Sequence, residues 1–125
     1  MSLSLKPPTD ALTARVSEVL DELLETADLV TPLDVLLALE MIEAEPVDLW
    51  RRGGLPYLER GITSGLARVA RVLRIVKELC LERGLAPTKG RYSRRVGGRK
   101  QPLRFSKRGD DESEQAYSTH FVRAR

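Results

Sequence analysis

Side chains with catalytic or metal-binding chemistry are scarce in this sequence. Its 125 residues include one cysteine and one histidine, which excludes an internal disulfide bond and falls short of the roughly four ligands of a zinc site. We interpret Cys80 as a small buried hydrophobic residue and expect His120 to lie in a frayed tail. Acids at 110–114 could hold a nuclease metal, but the dipole of a helix explains them more simply. The sequence therefore predicts that the protein is not an enzyme and uses no metal or other cofactor.

Long apolar runs and aromatic residues are also rare. No stretch approaches the roughly 18 apolar residues of a membrane span, and Lys6, Pro7 and Pro8 interrupt any signal-peptide pattern. Together with the single cysteine, these features predict a cytoplasmic protein without a membrane partner. Aromatic residues make up 5% of the chain, so Leu, Val and Ile must supply most of the hydrophobic core.

The net charge of +3 conceals an uneven distribution along the chain. Residues 1–63 carry 5 basic and 12 acidic side chains, whereas residues 64–109 carry 14 basic and 2 acidic ones. Residues 110–125 carry 2 basic and 4 acidic side chains. An asymmetry of this size indicates the kind of partner that a protein binds more than the fold it adopts.

Hydrophobic periodicity and turn residues predict a mainly α fold with a C-terminal basic β-hairpin. We expect four to six helices in a single domain over residues 1–125. The expected segments are a flexible N-terminus (1–8), a helical body (9–83), a basic hairpin (89–109), a short helix (110–118) and a tail (119–125). Gly97-Gly98 is the expected turn of the hairpin, between strands at 91–96 and 99–107.

The expected centre of the fold is a long helix over residues 64–83. On a 3.6-residue period one face collects Leu66, Val69, Ala70, Leu73, Val76 and Cys80. Ser64 is the expected N-cap, and Gly84 the expected residue after the C-cap. A helix with so wide an apolar face is expected to be surrounded by its neighbours, or to complete that face with a second copy in a homodimer.

Residues 31–56 contain a recognisable motif. The stretch begins with Thr31-Pro32 and ends with Arg51-Arg52-Gly53-x-Leu55-Pro56. It resembles the helix-turn-helix of the excisionase and MerR-like winged-helix DNA-binding domains, a class of bacterial-type regulators. The resemblance implies a supporting first helix, a second helix in the DNA major groove and a basic wing on the backbone. The alternative is two amphipathic helices joined by a glycine turn, with Trp50 as a core anchor.

The second feature that points to a partner is the basic segment 89–109, which has no acidic residue. Arginine predominates, which suits bidentate contacts to phosphate. Two aromatic residues among the charges could stack on unpaired bases, or simply pack the hairpin onto the helices. The predicted nucleic-acid-binding residues are Lys89, Arg91, Tyr92, Arg94, Arg95, Arg99, Lys100, Arg104, Phe105, Lys107 and Arg108, with Arg51 and Arg52 as secondary candidates.

Two functions of different classes are compatible with these features. The first is a nucleic-acid-binding protein, with DNA favoured and RNA as a variant, in which the hairpin acts as a wing or clamp beside the helix-turn-helix. The second is a non-enzymatic assembly protein, in which the central helix pairs with a second copy and the hairpin binds an acidic protein surface.

Overall fold

Helices predominate in the first two thirds of the chain and strands in the last third in the computed structural model, which describes residues 10–123. The elements are α1 (Ala11–Thr26), β1 (Leu29–Val30), α2 (Pro32–Ala38), α3 (Ala44–Arg51), a 3-10 helix (Leu58–Gly61), α4 (Leu66–Glu82), β2 (Leu85–Lys89), β3 (Ser93–Val96), β4 (Arg99–Pro102), α5 (Asp111–Ser118) and β5 (Thr119–Arg123). Five strands in two antiparallel sheets make this an α+β fold, so the prediction of a mainly α fold is wrong. The predicted flexible segment 1–8 lies outside the described residues.

The strand that sequence reasoning missed most clearly is β5. It forms the centre of a three-stranded antiparallel sheet in the order β1-β5-β2, with Phe121 opposite both Val30 and Pro87. The prediction of a C-terminal tail over 119–125 is therefore wrong for residues 119–123. Its partner β2 contains Pro87, which breaks a typical strand pattern but is tolerated because β2 lies at the sheet edge.

The hydrophobic core lies between the sheet and helices α1, α2 and α4. Helix α1 is capped by Asp10, whose side chain accepts a hydrogen bond from the Thr13 N–H at 2.7 Å. Helix α2 begins as its sequence predicts, with Thr31 as N-cap accepting from the Asp34 N–H at 3.0 Å and with Pro32 in the first turn. These caps hold the two helices at the positions from which their apolar faces reach the core.

The central helix is confirmed as α4, with small differences at its start. Its N-cap is Gly65 rather than Ser64, whereas Gly84 follows the C-cap at a φ of 78°, as predicted. Much of the predicted face is buried, but two of its members, Leu66 (48%) and Ala70, are exposed, and so is Leu81 (45%) outside that face. The expectation that neighbours surround the helix is therefore wrong for this part of its surface.

Candidate nucleic-acid interface

Four basic residues lie on a β-hairpin that we call the basic arm, residues 93–102. Among residues 10–123, strands β3 and β4 pair only with each other, and the turn is Gly97-Gly98, with φ values of 57° and 81°. Positive φ at both central residues is typical of the tight turns that match strand twist, and glycine adopts it without strain. The predicted hairpin and its turn are confirmed, although both strands are shorter than expected.

The register of the arm assigns its side chains to two faces. Directly opposite residues share a face, so Ser93, Arg95, Lys100 and Pro102 form what we call the outer face. Arg94, Val96, Arg99 and Gln101 form the inner face. Arg94 donates to the Arg52 carbonyl at 3.5 Å, and a side chain at Gly53 would collide with its guanidinium. The inner face of the arm thus contacts the C-terminus of α3, where a cation is favourable.

On the outer face, Arg95 lies directly opposite Lys100. Both side chains are exposed, and like charges in directly opposite positions destabilise a strand pair. Within residues 10–123, neither takes part in an ion pair, and the same is true of Arg91 and Arg99. The arm therefore exposes positive charge that the described part of the chain does not neutralise.

Two carboxylates hold the segment that follows the arm, residues 103–109. Glu114 of α5 accepts hydrogen bonds from the backbone N–H groups of Phe105 and Ser106 at 2.9 and 2.8 Å, and from the Ser106 hydroxyl at 2.7 Å. Glu59 accepts from the Lys107 N–H at 2.9 Å and from the Tyr117 hydroxyl at 2.7 Å. These carboxylates accept hydrogen bonds from backbone N–H groups that a partner strand would otherwise bind, which explains why the predicted second strand ends at residue 102.

Burial and the neighbouring carboxylates keep the Tyr117 hydroxyl protonated, so that it can donate a hydrogen bond. Desolvation raises the pKa of Tyr117, and its hydrogen bond to Glu59 raises it further. A neutral tyrosine can donate to Glu59 at any ordinary pH. The segment 103–109 is thus connected through Glu59 to α5, although the sequence gives no sign of these contacts between residues about fifty positions apart.

An aromatic cluster of Trp50, Tyr92, Phe105 and Tyr117 packs beside the two ends of the arm. The Phe105 ring lies 4.9 Å from Trp50 and from Tyr92 and stacks on Tyr117 at 5.5 Å between centroids. The indole N–H of Trp50 donates to the Arg104 carbonyl at 2.7 Å. Phe105 is only 3% exposed, so the expectation that it stacks on bases is wrong. A single sequence gives no way to distinguish an aromatic residue that anchors a hairpin from one that binds a base.

Tyr92 connects this cluster to the central strand. Its hydroxyl lies 2.9 Å from Nε2 of His120, and the Arg51 guanidinium lies over its ring at 5.7 Å. The half-buried Tyr92 ring therefore has contacts within the protein on several sides. His120 belongs to β5 rather than to a frayed tail, which corrects the expectation for this residue. Burial lowers the pKa of His120, and the carboxylate of Asp34 partly opposes this effect.

Arg104 is another predicted phosphate-binding residue that the structure uses internally. Its Nε donates to the Ser106 carbonyl at 2.8 Å, and Nη2 donates to the Lys107 carbonyl. The guanidinium also lies 5.7 Å from the centre of the Tyr57 ring. Because these contacts orient its donors along the chain, Arg104 shapes the segment after the arm, and we remove it from the candidate interface.

The remaining basic candidates form two groups. The side chains of the first group, which we call available, have no ionic partner in the described part of the chain, and those of the second lie beside Asp110 or the end of α3. The available side chains are exposed and take part in no ion pair within residues 10–123, namely Lys89, Arg91, Arg95, Arg99, Lys100 and Lys107. Arg95 donates one hydrogen bond, to the Gly98 carbonyl at 3.3 Å. Arg108 lies 3.6 Å from Asp110. Arg51, Arg52 and Arg94 gather where α3 ends, beside the inner face of the arm. The structure thus brings most of the predicted basic residues to one region.

The two helices expected from the resemblance are α2 and α3, joined by residues 39–43. The exposed side chains of α3 include Glu45 and Asp48, and carboxylates at these positions would repel DNA phosphates. Helix α4 separates this pair from the arm along the chain. The resemblance to winged-helix domains stays a prediction, and the positive surface lies on the arm rather than on α3.

Neither a protein-family model, nor a curated protein, nor a solved structure matches this chain. Among residues 10–123, no helix combines the length and apolar character needed to cross a bilayer. In the same range, no three His, Cys, Asp or Glu side chains are grouped closely enough to hold a metal ion. The function must therefore be argued from the surface itself.

Proposed function

We propose that the protein binds duplex DNA through the outer face of its basic arm. The observation that carries this proposal is the exposed pair Arg95 and Lys100, directly opposite each other without a counter-ion among the described residues. Phosphate oxygens would supply the missing negative charge, and arginine binds them in a bidentate manner. Arg91 and Lys89, which are exposed at the base of the arm beside Lys100, extend the same positive surface.

The shape of the arm favours DNA over double-stranded RNA. A two-stranded β-ribbon fits the major groove of B-form DNA, whereas the major groove of A-form RNA is too deep and narrow for side chains to read. Of the two aromatic residues that could stack on RNA bases, Phe105 is buried and only Tyr92 keeps exposed surface, so stacking of successive bases in single-stranded RNA has little support. The proposal includes a cytoplasmic location, which the one buried, reduced cysteine supports.

The direct test is fluorescence anisotropy with a labelled duplex over a salt series. If Lys89, Arg91, Arg95 and Lys100 contact phosphates, log K should fall against log salt with a slope of about −4. The double reversal Arg95→Glu/Lys100→Glu should abolish binding. Its matched control is Arg68→Glu/Lys77→Glu, which makes the same charge change at exposed positions of α4.

Two results would contradict the proposal. One is the absence of binding at low salt, where electrostatic contacts are strongest. The other is an equal loss of affinity in the arm reversal and in the α4 control, because that would show attraction by net charge alone.

The second candidate is an assembly protein, which the exposed leucines of α4 favour. Leu66 and Leu81 lie on the part of α4 that the fold leaves uncovered. A second copy could cover this surface, with the arm bound to an acidic region. Sedimentation velocity separates the candidates: the arm reversal should leave the oligomeric state unchanged if the arm binds DNA, and should alter it if the arm holds the assembly together.

A further inference from the structure

A cleft of about 390 Å³ opens at the base of the arm, between its outer face and α5. We infer that it binds a single unpaired nucleotide, an inference that rests on the proposed binding of nucleic acid by the arm. The lining residues that a nucleotide would contact include Lys89, Arg91, Tyr92, Lys100, Pro102 and Leu103. Its volume lies within the usual range of small-ligand sites.

The lining of the cleft combines the two chemistries that a nucleotide requires. Tyr92, Leu103 and Pro102 offer apolar surface to a flat base, while three cationic side chains can hold its phosphate. One acid, Glu114, also lines the cleft, and both of its carboxylate oxygens accept hydrogen bonds from residues 105 and 106. An inorganic anion would use only the cations and leave the apolar surface exposed.

The position of the cleft connects it to the proposed DNA surface. Ser93, Lys100 and Pro102 belong both to the outer face and to the lining of the cleft. A strand whose phosphates contact Arg95 and Lys100 therefore passes the opening of the cleft. An unpaired nucleotide at the end of that strand, or within it, can enter without breaking a base pair, whereas a paired base has to pay the cost of unpairing.

The first experiment compares duplexes of one sequence that carry a one-nucleotide overhang, a one-nucleotide bulge or no unpaired nucleotide. We expect about tenfold tighter binding when an unpaired nucleotide is present, which is within the range for stacking one base. Ser93→Leu fills the cleft from an exposed strand position without changing charge, and should remove this preference. Ser93→Ala is the matched control and should retain it.

A second measurement uses Trp50, the single tryptophan of the chain. Trp50 contacts Tyr92 and Phe105, which both line the cleft. Nucleoside monophosphates should therefore change its emission, inorganic phosphate should not, and Ser93→Leu should suppress the change. This titration also tests whether the cleft takes a free nucleotide independently of a strand.

The outcomes for the cleft and for the arm can be told apart. Equal affinity for paired and unpaired duplexes, together with no response to nucleoside monophosphates, overturns the cleft inference and leaves the arm as a DNA-binding element. If the wild-type protein binds none of the duplexes, the proposed function is overturned. In that case a nucleotide response blocked by Ser93→Leu supports the cleft as a site for free nucleotides. A response to phosphate equal to that to nucleotides overturns the inference, because it indicates an anion site only.

Discussion

Glu114 accepts hydrogen bonds from both the backbone N–H and the hydroxyl of Ser106, at 2.8 and 2.7 Å. Ser106 is 1% exposed, so these donors have no access to water and need the carboxylate as their partner. The same carboxylate accepts from the Phe105 N–H. One side chain of α5 thus fixes the backbone on which the arm and the aromatic cluster depend.

Replacing this carboxylate should destabilise the protein. We expect Glu114→Ala to lower the free energy of unfolding by about 2–3 kcal/mol, because it leaves buried donors without an acceptor. Glu112→Ala, at an exposed position on the same helix, should change it by less than about 0.5 kcal/mol. Urea denaturation measures both, and equal effects of the two variants would contradict the role of Glu114.

Replacing Arg104 by glutamine should mainly lower stability, whereas the same replacement of Arg95 should mainly weaken DNA binding. Arg104→Gln removes bonds to the carbonyls of Ser106 and Lys107 and should cost about 1 kcal/mol of stability, with little effect on the salt slope of DNA binding. Arg95→Gln should leave stability nearly unchanged and reduce that slope by about 0.9. Denaturation and anisotropy on both variants check the pair. A reduced slope for Arg104→Gln would return this residue to the interface.

His120 should make stability depend on pH near neutrality. Burial lowers its pKa in the folded state, so the unfolded chain binds a proton more readily and stability falls as pH drops through the unfolded pKa of about 6.5. Above that pH neither state is protonated and the effect vanishes. Because His120 is the one histidine, His120→Gln should flatten the stability profile between about pH 7.5 and pH 5.5. An unchanged slope in this variant would show that another group titrates.

Cys80 should be chemically inert in the folded protein. Burial raises the pKa of its thiol to about 11, partly opposed by the charge of Arg83, and the side chain is fully buried. At about pH 8 the thiolate fraction is then on the order of one in a thousand. A thiol reagent should label the protein only after unfolding in urea. Cys80→Ser/Ser93→Cys, with an exposed thiol on the arm, is the positive control, and rapid labelling of the native wild type would contradict the prediction.

Local signals along the chain predicted several elements well. The Thr31-Pro32 start of α2, the glycine after α4 and the Gly97-Gly98 turn are each determined by capping or backbone rules that involve a few neighbouring residues. Four of the predicted basic residues, Arg94, Arg95, Arg99 and Lys100, lie on the arm. The prediction of DNA binding stays a proposal that rests on this charge.

The sequence alone determined the start of α2, the end of α4, the hairpin turn and the asymmetric charge, because all of these depend on residues close together in the chain. Only the tertiary structure decided that residues 119–123 form the central strand, that Phe105 is buried and that Arg104 is engaged internally. Strand pairing and the contacts of Glu59 join residues far apart in sequence, and the contacts of Glu114 connect a loop to the next helix. Their geometry is set by packing, and no local pattern records it.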